Sequence, residues 1–287
     1  MTGFITKGVG GSYTVLTNGY NMNEHYYTCT ARGVFRNRNT TPLVGDNVEI
    51  AISDPIKKIA SIQKILPRKN QLRRPPAANI SQVIITAATT QPDFNPGLLD
   101  RFLLLVEYEE IPILICVNKI DLSPHTEFEP YLDAGYDMVF TNATGTEGLD
   151  ELRKKMAGEI NLFAGPSGVG KSSLINALMP GIDLETGDLS AKLGRGKHTT
   201  RHTEIFPLGN LPSDGFCFDT PGFTSIDIEH IQKNELAYLF REFRPFINAC
   251  KFNNCSHIKE IDCAVKEQIG SAIHPARYES YVSLFSR

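Results

Sequence analysis

The chain has 287 residues, 41% of them hydrophobic, and a formal net charge of −3. That length predicts two or three domains, and that apolar content is ordinary for a protein that buries a real core. No apolar run approaches the roughly 18 residues that cross a bilayer, and the slightly acidic balance excludes a uniformly basic nucleic-acid binder.

The first residues, Met1-Thr-Gly-Phe-Ile-Thr-Lys7, show no charged segment followed by an apolar core, so no signal peptide is expected and a cytoplasmic location is the default. Residues 1–66 then read as short β-rich pieces. Strand candidates are Ser12–Thr17, closed by Asn18-Gly19, then His25–Ala31, Asp46–Ile52 and Ala60–Leu66. This spacing predicts a small β-barrel of OB type, and it leaves open whether the barrel binds oligonucleotides or serves protein contacts. From Pro55 to Pro92 there is no acidic residue, but seven basic ones: Lys57, Lys58, Lys64, Arg68, Lys69, Arg73 and Arg74. So one-sided a run in an acidic chain suggests phosphate as a partner. Arg73-Arg-Pro-Pro76 also reads as a linker.

Residues 67–229 alternate buried-strand runs with helical spacing. Gln82–Ala87 and Ile113–Val117 are continuous apolar runs of the kind found in parallel sheets, and Leu98–Glu110 has helical periodicity between them. The second strand ends in Asn118-Lys119-Ile120-Asp121. Asp121 can accept two hydrogen bonds from the N1–H and N2–H₂ of guanine, which adenine does not offer, so a buried carboxylate there also discriminates. Lys119 can lie along the base, and Asn118 can tie this loop to another. Asp137–Thr144 reads as a further strand and loop, whose Asn142-Ala143-Thr144 can place backbone N–H groups near guanine O6. Gly148–Met156 is the next expected helix.

The strongest motif is Gly165-Pro166-Ser167-Gly168-Val169-Gly170-Lys171-Ser172-Ser173. It follows the apolar Asn161–Ala164 and opens into the helical Ser172–Leu178. The glycines let successive N–H groups converge on phosphate, and the helix N-terminus adds its field. Lys171 reaches the β and γ phosphates, and the Ser172 hydroxyl can hold Mg²⁺ that accompanies the nucleotide. Further on, Gly215-Phe-Cys-Phe218 leads to Asp219-Thr220-Pro221-Gly222, where Asp219 can hold Mg²⁺ through water and the Gly222 N–H can report the γ-phosphate. Between these lies Gly194-Arg-Gly-Lys-His198-Thr199-Thr200-Arg-His202, rich in cations, where Thr200 or Thr199 would complete the Mg²⁺ shell and order a switch. Ordinary GTPases run phosphate loop, switch threonine, Asp-x-x-Gly, Asn-Lys-x-Asp and then the alanine-containing base loop. Here the last two come first, the order of a circularly permuted GTPase.

Residues 230–287 carry a helical Glu235–Phe243, then Cys250-x₄-Cys255-x-His257-x₅-Cys263, and a final helical Tyr278–Phe285. Three thiolates and one imidazole make a closed tetrahedral set, so one structural zinc per chain is expected. Cys29, Cys116 and Cys217 stand apart and read as buried thiols.

The whole arrangement, with Lys69-Asn-x-Leu-Arg-Arg-Pro75, the phosphate loop, Asp219–Gly222 and the zinc cluster, resembles the ribosome small-subunit-dependent GTPase A family. The resemblance covers essentially the whole chain. It implies a multidomain α/β protein: an OB-type barrel at 1–66, a circularly permuted P-loop GTPase domain at 67–229 and an α-helical zinc domain at 230–287. It implies GTP hydrolysis stimulated by the 30S subunit, late subunit maturation, contact with 16S rRNA and a monomeric chain. Phe223 stands where many GTPases place a water-orienting glutamine. His198 is the candidate replacement, as the family resemblance suggests, and His202 is second. The rival readings are a P-loop ATPase or nucleotide kinase, against which Asn118–Asp121 argues, and a nucleotide-gated rRNA-binding module with negligible catalysis.

Overall fold

A computed structural model describes residues 1–17, 25–31, 41–72, 75–179, 203–209, 214–223 and 228–286, with only the backbone of 219–223. The barrel has five strands: β1 (Thr2–Val9), β2 (Ser12–Thr17), β3 (Tyr26–Ala31), β4 (Asn47–Asp54) and β5 (Ile59–Ile65). Their order is β1-β2-β3-β5-β4, closed by β4 on β1, and all pairs are antiparallel except β3–β5. Ile5, Val15, Cys29, Val48, Ile50 and Ile62 point into its core. The expected OB-type barrel is present, and it includes a strand absent from the sequence-based expectation. In β1 a register shift between Ile5 and Lys7 breaks the two-residue alternation by which strands are recognised.

Short strands β6 (Gln71–Leu72) and β7 (Ala77–Ala78) form a hairpin after the barrel. The expected linker is thus partly ordered; Arg73 and Arg74 lie outside the described residues. Arg68 does not face solvent as a free cation. Its guanidinium grips the fully buried Asp46 at 2.7 and 2.8 Å and donates to the Thr41 carbonyl at 2.9 Å. A buried carboxylate needs such a fork, so Arg68 belongs to the scaffold rather than to a phosphate-binding face.

The central sheet contains β8 (Gln82–Ala88), β9 (Ile113–Asn118), β10 (Asp137–Thr141), β11 (Ile160–Ala164), β12 (Glu204–Pro207) and β13 (Phe216–Phe223) in the order β10-β9-β8-β11-β13-β12. All neighbours are parallel except β12, which is antiparallel to β13. Helices cover both faces. Helix α1 (Pro96–Tyr108) packs on one, its first turn capped by the Asn95 side chain and opened by Pro96. Helix α2 (Glu129–Asp133) is short; α3 (Leu149–Met156) and α4 (Lys171–Leu178) cover the other face. Successive residues of β8 divide accordingly: Val83, Ile85 and Ala87 join the α1-side cluster, and Ile84 joins the α3/α4 side.

The C-terminal region is a set of short helical pieces: α5 (Lys233–Leu236), two 3₁₀ turns (Ala237–Leu239 and Arg241–Phe243), α6 (Arg244–Ile247), α7 (Ala264–Glu267) and α8 (Pro275–Phe285). Glu235–Phe243 is therefore not the single helix its spacing predicts. The chain turns extended at the fully buried Phe240, and Pro245 prevents an unbroken helix from running through. Phe240 stacks on Phe243, and the Arg277 guanidinium lies 4.6 Å from its ring. Arg277, itself buried, pairs with Glu242 at 2.7 Å and with Asp100 of α1, which also accepts from Ser280. Arg241 and Arg244 hold Glu107, at the other end of α1. The C-terminal region is thereby fastened along α1, with Leu104 inside its apolar cluster. Among the described residues no helix is long and apolar enough to cross a membrane.

Candidate nucleotide-binding site and metal centre

The motifs meet at the carboxyl edge of the central sheet, where ligands bind in open α/β folds. The loop 165–170 joins β11 to α4; Asn118–Asp121 ends β9; 142–144 follows β10; Asp219–Gly222 lies at the end of β13. The pairing of β11 with β13 jumps from Leu162↔Phe218 to Ala164↔Phe223, so residues 219–222 are out of simple register.

Asn118 links three of these segments. Its Nδ2 donates to the Val169 carbonyl at 2.9 Å, and its Oδ1 accepts from the Ala143 N–H at 3.1 Å and the Thr141 hydroxyl at 3.2 Å. Asn118 is only 1% exposed, so its amide needs protein partners, and these groups supply them. Lys119 adopts a left-handed φ of 63° and donates to the Gly168 carbonyl at 2.8 Å and to that of Gln91. The Thr89 hydroxyl accepts no part in either motif but donates to the Lys119 carbonyl at 2.7 Å, and holds that turn. Asp121 is exposed at the edge. Asn142 closes its own turn by accepting from Thr144 and Gly145 N–H groups at 3.1 Å. Sequence reasoning missed Thr89, Thr141 and Gln91; of these only Thr141 stands at a strand end directly before a motif, which is a signal the sequence offered.

In the phosphate loop Gly165 has φ 134°, and a Cβ there would fall 2.2 Å from the Thr86 carbonyl; at Gly170, φ 97°, it would fall 2.3 Å from Asn118 Nδ2. Both positions require glycine. Gly170 also stands at the cap of α4 with no side chain to satisfy the first-turn N–H groups, which leaves them to an anion. The Lys171 ammonium curls back to the Gly165 and Pro166 carbonyls at 2.8 and 2.6 Å, and burial pushes its pKa down to about 8. Ser167 and Gly168 are exposed, Val169 is buried, and Ser172 and Ser173 are half-buried on the first turn of α4. His198, Thr199, Thr200 and His202 lie outside the described residues, as do the side chains of Asp219 and Phe223.

The second centre is in the C-terminal region. One ligand atom from each of Cys250, Cys255, His257 and Cys263 lies within 4.8 Å of every other. Cys250 Sγ is 3.8 Å from Cys263 Sγ, and His257 Nδ1 is 3.5 and 3.4 Å from those two sulfurs. A tetrahedron with Zn–S of about 2.3 Å and Zn–N of about 2.0–2.1 Å has edges of about 3.8 and 3.6 Å, so the donor set fits one zinc. His257 sits at a left-handed φ of 59°, and its carbonyl accepts from Tyr278; the Ser256 carbonyl accepts from Tyr281, both at 2.8 Å. Helix α8 therefore holds the ligand loop by its backbone. Burial lowers the His257 pKa and favours the neutral imidazole that a metal needs. Cys29, Cys116 and Cys217 are buried and apart, with Cys116 pushed up to about 12 by burial.

A sequence profile described as RsgA GTPase matches residues 65–229, and one described as RsgA N-terminal domain matches residues 2–57. The small ribosomal subunit biogenesis GTPase RsgA of Alkaliphilus metalliredigens is 42% identical over 287 aligned residues, which cover 98% of this chain and 96% of that protein. The chain belongs to the RsgA GTPase family. A second relative, the small ribosomal subunit biogenesis GTPase RsgA of Clostridium novyi, is 45% identical over 98% of this chain and 95% of its own. Two solved structures share the whole architecture at 33% identity. The crystal structure of YloQ, a circularly permuted GTPase, gives a TM-score of 0.81 over 99% of this chain and 93% of that one. YjeQ from Thermotoga maritima gives 0.82 over 99% and 97%. This RsgA-family chain is thus a GTP hydrolase with a circularly permuted GTPase domain, an OB-like barrel before it and a Cys₃His cluster after it that can hold one zinc.

Proposed function

We propose that this protein is a GTPase of small ribosomal subunit biogenesis whose hydrolysis is stimulated by the 30S subunit late in that subunit's maturation. The observation that carries the nucleotide reading is Asn118, which fastens the guanine-reading turn and the alanine-containing loop to the phosphate loop in one hydrogen-bonded unit. The ribosomal reading rests on relatives named for that process across the full chain.

In this reading 1–66 is the barrel, 67–229 the GTPase domain and 230–287 the zinc domain. Asp121 and Lys119 take the guanine, with backbone N–H groups of 142–143 facing O6; the Ala143 N–H then exchanges Asn118 for the base. Residues 165–173 wrap the β and γ phosphates, and Lys171 leaves its loop carbonyls for them. When bound, Mg²⁺ neutralises charge between those phosphates, and the hydroxyls of Ser172 and Thr200 suit so hard a cation. Asp219 would hold Mg²⁺ through water, and the Gly222 N–H reports the γ-phosphate. His198 orients the attacking water in place of the glutamine that Phe223 replaces. Zinc at Cys250, Cys255, His257 and Cys263 is structural, because all four positions are filled by protein. The barrel and zinc domain contact 16S rRNA, the chain is a monomer, and it works in the cytoplasm.

The test is hydrolysis of GTP and ATP with and without 30S subunits, for the parent and for His198→Ala. The expected result is GTP selectivity, a rate raised by 30S subunits, and loss of that rise in His198→Ala. ATP used as well as GTP would overturn the guanine reading, and an unreduced 30S response in the variant would remove His198 from its role.

A further inference from the structure

The barrel and the GTPase sheet are not separate layers. Strand β1 pairs with β12, so that one sheet of eleven strands runs through both domains. Among the described residues the joint has one register pair, Lys7↔Glu204, and the same two side chains form an ion pair at 2.5 Å. Opposite Glu204, on the other side of β12, stands Asp219 of β13. Lys7, Glu204 and Asp219 thus occupy one row across three neighbouring strands, with Asp219 about 10 Å from Lys7 by the spacing of strands. Two more barrel residues face this joint. The Phe4 ring lies 5.4 Å from that of Phe216 on β13. Tyr26 of β3 is near enough that the Glu204 carboxylate adds to the effect of burial in raising its phenol pKa.

Strand β12 has only four residues, and its two neighbours in the sheet are β13 and β1. So short a strand is placed by its partners. One neighbour carries Asp219, and the other belongs to the barrel.

We propose that the Lys7–Glu204 pair is a positioning contact through which the barrel sets β12, and with it Asp219, for GTP hydrolysis. The pair is half-exposed, with side chains 42% and 28% accessible, so its contribution is limited and salt-sensitive. The inference rests on the role given to Asp219 above.

The test uses the full chain with Lys7→Glu, Glu204→Lys and the double exchange. Single-turnover hydrolysis without ribosomal subunits, affinity for a non-hydrolysable GTP analogue, and melting temperature are measured for each. Each single variant is expected to hydrolyse about fivefold more slowly, near the ceiling for a half-exposed pair, with analogue affinity within about twofold of the parent. The double exchange, which restores the opposite charges, is expected to recover the rate. The proposal is overturned if the single variants hydrolyse as the parent does, if the double exchange stays as slow as they do, or if rate, affinity and melting temperature fall together. Asp219→Asn is measured beside them. Parent-like hydrolysis in that variant would overturn the role of Asp219, and with it this inference, whereas failure of the charge exchange alone leaves that role standing.

Discussion

Gly170 is the tightest point of the nucleotide site. Its left-handed backbone and the 2.3 Å approach that a Cβ would make to Asn118 Nδ2 leave no room for a side chain. Gly170→Ala must push the amide off the Val169 carbonyl, so guanine-nucleotide affinity should fall at least about tenfold while the melting transition persists, as read by titration with a fluorescent GTP analogue. Lys171 gives a pH signature. Burial holds its pKa near about 8 in the free protein, and bound phosphates raise it, so above pH 8 binding must take up a proton. Affinity is therefore full below pH 8 and is lost as pH rises above it, with a slope that approaches tenfold per unit. A binding series from pH 7 to 9 should show this weakening, and Lys171→Arg, whose charge persists, should flatten it. At this scale the sequence was highly legible. Glycine, lysine and asparagine are needed where the backbone must curl or a buried amide must bridge, and their spacing is local. Thr89 and Gln91 were not legible, because what they hold lies 30 and 28 residues away and their type carries no motif.

Elements divide by the reach of their causes. The Cys₃His cluster spans residues 250–263, so its spacing already describes a chelating loop, and the structure brings the four donors together. Purified protein should carry one zinc per chain by metal analysis. His257→Ala should lose it and lower the melting temperature, since metal binding energy is folding energy in so small a knuckle. The fastening of this region to α1 could not be read, because Arg277 and Asp100 are 177 residues apart. That contact ties the C-terminal region to α1 in this structure. Burial disfavours the Arg277 charge, and the carboxylates of Asp100 and Glu242 more than offset it. Arg277→Met strips two buried carboxylates of their partner and should cost about 3–5 kcal/mol of unfolding free energy in urea. The break at Phe240 was hidden for another reason: apolar spacing reports which face is buried, and both a helix and a pair of 3₁₀ turns can bury it.

For the whole molecule, the order of motifs said more than any motif. The Asn118–Asp121 motif precedes the phosphate loop, and the fold shows why the site tolerates this. The motifs among the described residues lie at strand ends along one edge of one sheet, and hydrogen bonds between loops restore what the rearranged chain does not connect. The permutation leaves β12 and β13 after the phosphate loop, with β12 paired to β1 of the barrel. The joining of the two domains into one sheet was not legible, since β1 is bulged and, among the described residues, one residue pair makes the joint. In the proposed function the small ribosomal subunit switches on this GTPase. Single-turnover GTP hydrolysis measured alone, with 30S and with 50S subunits tests it most directly. A rate raised at least about tenfold by 30S and left unchanged by 50S is the predicted result; equal rates in all three would contradict it.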